Sequence, residues 1–107
     1  MILRSWHGIV PIENAESFKN HLLATGVAEV KAISGNLEVY IYNQSQNDFE
    51  HFFMVSYWDN MESIKKYAGK NPHIAVCYPE DDKYGLISDP IVLHHEIQVI
   101  PPKFPIN

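Results

Sequence analysis

Hydrophobic and polar positions alternate and regroup along this chain in a way that spells out most of its elements. Ile2 to Val10 is rich in β-branched and aromatic residues and closes on Pro11, which reads as a strand. Asn14 is placed to cap a helix running to Ala24, whose apolar positions Ala15, Phe18 and Leu22 share one face. Gly26 fits the left-handed position that follows a helix C-terminus. Val27 to Ile33 reads as a loop with some extended structure, and Ser34-Gly35-Asn36 as a turn. Leu37 to Gln44 alternates strictly, with Leu37, Val39 and Ile41 on one face and Glu38, Tyr40 and Tyr42 on the other. Polar turn material from Asn43 to Asp48 joins it to a strand from Phe49 to Trp58, a hairpin.

A second helix is expected from Asp59, where Asp59 and Glu62 have capping-box spacing and Met61, Ile64 and Ala68 form the buried face. It should stop at Gly69, restart at Asn71-Pro72 and end at Pro79. Ile91 to Val99 is the last strand. The order β-α-β-β-α-β predicts an α+β, ferredoxin-like sandwich: a four-stranded antiparallel sheet with both helices on one face. Residues 1–100 form this domain, and Pro101, Pro102 and Pro105 make 101–107 an extended tail over a surface.

The third strand adds a further expectation. Phe52, Phe53, Met54 and Val55 are consecutive, so alternation sends large apolar groups to both faces of a sheet that two helices cover on one face only. Fully burying one such side chain is worth ~1.5–3 kcal/mol, which favours a homodimer packed through the second face. Phe52 or Met54 would lie in that interface.

Composition narrows the partners. The 107 residues are 46% hydrophobic and 20% charged, a globular balance. The net charge is −5 and Arg4 is the only arginine among eight basic residues, so a nucleic acid is not expected as a partner. The single cysteine, Cys77, rules out an intrachain disulfide, suits a reducing compartment and reads as a packing residue. MILRSWHGIV is too short and polar for a signal peptide, and no apolar run approaches membrane-spanning length. A soluble cytoplasmic protein without membrane contact is expected.

Six histidines raise the question of a metal. His94 and His95 are adjacent on a strand and point to opposite faces, and no helix carries an H-x-x-x-H pair. His7, His94 and Glu96 could share a site in the strand order 4-1-3-2, although hydrogen bonding within the sheet explains them better. No metal and no cofactor is expected. Glu80-Asp81-Asp82 reads as a solvated turn, and His21 and His51 as solvated or edge residues. The aromatic residues Trp6, Tyr57, Trp58, Tyr67, Tyr78 and Tyr84 converge in this topology and suggest a small-molecule pocket, with Tyr67 and Tyr78 flanking the helix break. His7 and His73 are the bases nearest such a pocket. The expected set is His7 as base with Tyr67 beside it, and Trp6, His73, Tyr78 and His94 around a ligand, in a cavity of a few hundred cubic ångströms.

The motifs carry a resemblance. Trp6-His7-Gly8 with Pro11 after it, S-x-W-D-x-M-E-x-I from Ser56 and A-G-x-x-P from Ala68 are similar to the antibiotic biosynthesis monooxygenase-like family. Tyr78-Pro79-Glu80-Asp81 and P-x-V-x-H-x-E-x from Pro90 fit as well, so the resemblance spans roughly Ile2 to Val99. It implies a homodimeric α+β barrel with a pocket between sheet and helices in each protomer. It further implies an oxidoreductase that oxidises a small aromatic or polyketide-like phenol or quinol with O₂, using neither metal nor flavin. The substrate anion would be held by donors and formed by a His or Tyr base. A second reading is a non-enzymatic, small-molecule-binding or stress-associated dimer of the same fold. The haem-degrading branch uses an Asn on the first strand with a Trp and a His on the second helix. The nearest positions here hold Trp6 or His7, Tyr67 and Cys77, and none of them matches.

Overall fold

The computed structural model describes residues 1–98. The expected tail, and the last residue of the expected final strand, lie outside these. Strand β1 (Ile2–Pro11) is followed by helix α1 (Ala15–Leu22), a wider π turn (Leu23–Val27) and a last helical turn, α2 (Ala28–Lys31). The hairpin β2 (Asn36–Gln46) and β3 (Phe49–Trp58) leads to helix α3 (Met61–Ala68). Two short strands, β4 (Ile87–Ser88) and β5 (Leu93–Glu96), are the last elements among the described residues, and both pair with β1. The antiparallel sheet runs β2-β3-β1-β4, with β5 also on β1. This is the ferredoxin-like fold expected, with β1 in the centre.

Register decides which residues meet the helices. Trp6 lies opposite Met54, and Met54 opposite Ile41, so even positions of β1 and β3 share a face with odd positions of β2. That face carries the core: Val10, Phe18, Val30, Phe52, Trp58 and Ile64 are almost completely buried. Both Phe52 and Met54 belong to it. The open face instead holds Phe53, Val55 and Tyr57, so the residues expected at a second-face interface shift by one position.

Several local expectations give way. The first helix does not end before Gly26. It continues through the π turn to Lys31, and Gly26 is buried inside it with an ordinary backbone. Asn14 makes no capping bond, and its side-chain amide instead donates to the Tyr84 carbonyl at 2.9 Å. The N-cap of α3 is Asn60, whose Oδ1 accepts from the Ser63 amide at 3.0 Å, rather than Asp59. Asn43 to Gln46 are strand residues, and the hairpin turns at Asn47, which takes a positive φ of 56°.

No helix restarts at Asn71. Gly69 (φ 82°) turns the chain away, and Ile74 bridges Ile91, with Ala75 N–H donating to Pro90 O at 2.9 Å and Val92 N–H to His73 O at 2.8 Å. A helix of two turns pays a nucleation penalty that these ladder bonds avoid, and β-branched Ile74 and Val76 favour extended backbone. The expected turn at Glu80-Asp81-Asp82 is a short 3₁₀ helix, Pro79–Tyr84.

Candidate functional site

Between the sheet and the α1–α2 helix lies a cavity of ≈ 40 Å³, an order of magnitude below the few hundred expected. Its floor comes from β1 and β3 through Arg4, Trp6, Met54 and Ser56. The helix contributes Phe18 and Leu22, and the π turn contributes Thr25 and Gly26. Tyr67 from α3 and Val76, Tyr78 and Asp81 from the segment after it form the cover. A π turn widens the helix by one residue, and such turns concentrate at functional sites. Here Gly26, one residue before its end, lines the cavity without a side chain.

Arg4 dominates the electrostatics. Its place on the helix side of the central strand leaves it 4% exposed. The guanidinium donates to the Pro72 carbonyl and to His94 Nε2 at 3.0 Å, and lies 5.8 Å from the centre of the Tyr67 ring. Neither hydrogen-bond partner is a carboxylate, and Arg4 belongs to no ion pair among the described residues. Burial lowers its pKa, opposed by the Tyr67 phenol. Burial, reinforced by the Arg4 charge and by His73 and His95, pushes the His94 imidazole down to about 4. His94 is therefore neutral at pH 7 and accepts from Arg4 through Nε2, which leaves its buried Nδ1 without a partner among the described residues.

Two phenols complete the wall. The Tyr67 and Tyr78 hydroxyls are 3.3 Å apart. Burial raises the Tyr67 pKa, opposed by the hydrogen bond to Tyr78 and by Arg4. The Tyr78 pKa rises further, first from burial and then through the Tyr67 hydroxyl and the Glu29 carboxylate. Both phenols stay protonated near neutrality and act as hydrogen-bond donors. The cover is anchored by Asp81, which accepts from His21 Nε2 at 2.7 Å and from the Tyr78 amide at 2.9 Å. His21 stacks on Tyr84, with ring centres 4.7 Å apart.

The structure brings together only part of the expected set. Trp6, Tyr67 and Tyr78 line the cavity, and Trp6 is held by a bond from its indole N–H to Ser88 Oγ at 2.8 Å. His94 stands behind Arg4, and the exposed His73 packs edge-on against it at 5.2 Å. His7 is elsewhere. One residue from Trp6 on a strand, it points to the open face, where it stacks on Phe53 at 4.5 Å and bonds His51 (2.9 Å) and Asp89 (3.0 Å). It therefore cannot serve this cavity as a base, and His7 and His94 cannot share an ion. Tyr57 also faces the open side, while Trp58 is core. Cys77 is exposed and lies beyond α3.

Sequence reasoning missed Arg4, Asp81 and His21. Arg4 carried a signal, as the chain's only arginine placed at an even position of an apolar strand. His21 and Asp81 lie 60 positions apart, and nothing local announces their pairing.

Residues 10–77 match the sequence model of the family described as antibiotic biosynthesis monooxygenase. A search of curated protein sequences finds no match. Among solved structures, a protein of Deinococcus radiodurans described as an antibiotic biosynthesis monooxygenase superposes with a TM-score of 0.65 at 16% identity, covering 97% of this chain and 99% of that one. The haem degrader MhuD of Mycobacterium tuberculosis, with two haems bound in its active site, gives 0.62 at 15% identity over 94% and 99%. A dimeric ferredoxin-like protein from an uncultured marine organism gives 0.61 at 14% over 96% and 100%. At these identities the structural likeness speaks for the fold.

Proposed function

The chain belongs to the antibiotic biosynthesis monooxygenase family, and from that premise we propose that it is a homodimeric, cofactor-independent oxidoreductase. Its substrate is a small aromatic or polyketide-like phenol or quinol, bound as the anion in the cavity beside Arg4 and oxidised by O₂. One observation carries this reading: a buried guanidinium without a carboxylate partner among the described residues faces a cavity rimmed by two protonated phenols. A buried charge without a counter-ion is costly, and an anionic ligand supplies one. The same arrangement favours the phenolate over the phenol, because the donors are already oriented and water is displaced. An electron-rich phenolate is the form that gives an electron to oxygen.

The cavity as it stands has room for water-sized occupants but not for an aromatic ring. Entry therefore displaces the cover that follows α3 and the flexible Met54 side chain beneath it. Absorbance titration with 4-nitrophenol tests the reading, since only its anion is yellow. Binding should lower the phenol's apparent pKa, and Arg4→Met should weaken binding about tenfold, ~1.4 kcal/mol. Methionine retains much of the buried side-chain volume, and a circular-dichroism melt of Arg4→Met checks that the fold is kept. Equal affinity in the two proteins would overturn the assignment.

A second reading, a binding protein without turnover, draws on the placement of His7 on the far face, which leaves no imidazole on the cavity wall. Oxygen consumption with 1,4-naphthohydroquinone separates the two: the enzyme consumes O₂ above the spontaneous rate, and the binder does not.

A further inference from the structure

With no histidine on the cavity wall, the proton released by a bound phenol needs another exit. We propose that Tyr67, Tyr78 and Glu29 form that exit, a chain of hydroxyls leading from the cavity to a surface carboxylate. The inference rests on the anion-site reading above and adds the destination of the proton.

Three placements support it. The Tyr67 and Tyr78 side chains line the cavity, and their hydroxyls are 3.3 Å apart. Glu29, on α2, is exposed, and its carboxylate is near enough to the Tyr78 hydroxyl to contribute to raising its pKa. The chain therefore starts in a buried space and ends in water. The π turn matters because α2, which carries Glu29, begins directly after it, while the turn itself lines the cavity through Thr25 and Gly26.

The bookkeeping is simple. The substrate O–H bond breaks and its proton goes to the Tyr67 oxygen. The Tyr67 proton passes to the Tyr78 oxygen, and the Tyr78 proton to the Glu29 carboxylate, which returns it to water. Each tyrosine ends neutral, and the negative charge that leaves Glu29 reappears on the substrate oxygen beside Arg4. Elevated pKa values suit the tyrosines to this task, since they relay without ionising at rest. The other charged groups around them are accounted for. Arg4 holds the product anion, and both oxygens of Asp81 are engaged by His21 and the Tyr78 amide. Asp81 thus positions the cover.

Oxidation of 1,4-naphthohydroquinone in air-saturated buffer tests the chain. Each quinol gives two electrons to O₂ and two protons to the medium, and the reduced oxygen takes two protons back from the medium, yielding the quinone and hydrogen peroxide. Glu29→Gln changes an exposed side chain and should fold normally. Glu29→Gln and Tyr78→Phe should each lower kcat by ~10²-fold, the scale of a positioned proton acceptor, with KM within about twofold. The solvent deuterium isotope effect on kcat should increase in both. Added imidazole should restore Glu29→Gln in part, and Glu29→Asp should retain more activity than Glu29→Gln. Unchanged kcat in both variants, or a change confined to KM, overturns the relay while 4-nitrophenol binding still stands. Absence of catalysed quinol oxidation despite 4-nitrophenol binding also overturns it. Failure of wild-type protein to bind 4-nitrophenol, or equal binding by Arg4→Met, removes the anion-site reading and the relay with it.

Discussion

Burial sets the protonation states of the groups around Arg4, and His94 shows this through stability. In the unfolded chain an imidazole titrates near ~6.5, whereas burial and the Arg4 charge hold His94 down to about 4 in the folded state. Between these values the unfolded chain binds the extra proton, so acid favours unfolding. The stability that neutral His94 contributes is complete above pH ~6.5 and is lost as pH falls toward 4. Urea midpoints measured across this window should fall more steeply for wild type than for His94→Gln, which keeps an acceptor for Arg4 but cannot be protonated. Parallel pH profiles would argue against this account. The placement of His94 behind Arg4, rather than beside His7, follows from one strand parity that periodicity leaves free to fall either way.

At the scale of elements, two glycines separate what a turn signal says from what packing decides. Gly35 behaves as its sequence context indicates: it sits in a turn with φ 101°, where an added Cβ would lie 2.2 Å from Ser63 Oγ. Gly35→Ala combines this clash with left-handed strain of roughly 1–3 kcal/mol, so the urea midpoint should drop clearly. Gly26 misleads. It looks like a helix stop but lies in the π turn, where an added Cβ would meet Met54 Sδ at 3.3 Å. Alanine is favoured over glycine in helix interiors by roughly 0.5–1 kcal/mol, and the thioether can give by a few tenths of an ångström. Gly26→Ala should therefore keep or raise Tm while reducing 4-nitrophenol affinity, because the methyl enters the cavity. A large loss of Tm would mean that the helix there cannot adjust.

On the scale of the whole molecule, the open sheet face is the largest unspent resource. Phe53, Val55 and Tyr57 on β3 adjoin Leu3 and Ile9 on β1, and Ile87 and Leu93 at the edge are 61% and 57% exposed. We propose that a second copy covers this face, consistent with the expectation drawn from the third strand. Light scattering should give twice the chain mass at micromolar concentration. Val55→Asp would bury an unpaired charge in that interface, and it should yield a folded monomer or raise the dimer dissociation constant by well over 100-fold. Met54 and Phe52 cannot serve this test, since both lie in the core. Among the described residues, no helix is long and apolar enough to cross a membrane.

The alternation in β1, β2 and β3, the hairpin, the amphipathic α3 and the element order are all written locally, and from them the ferredoxin-like topology follows. So does the doubly apolar third strand, because period-2 patterning is a property of neighbouring residues. Tertiary structure alone decided which parity faces the helices, and with it the exchange of His7 for Arg4 as the residue with access to the cavity. It also decided that residues 73–75 pair with residues 90–92 instead of coiling, since the ladder partner is remote in sequence. The His21–Asp81 anchor and the Tyr67–Tyr78 pair belong to the same class. Contacts between distant segments are chosen by closure of the whole core, and no short window of sequence contains both partners.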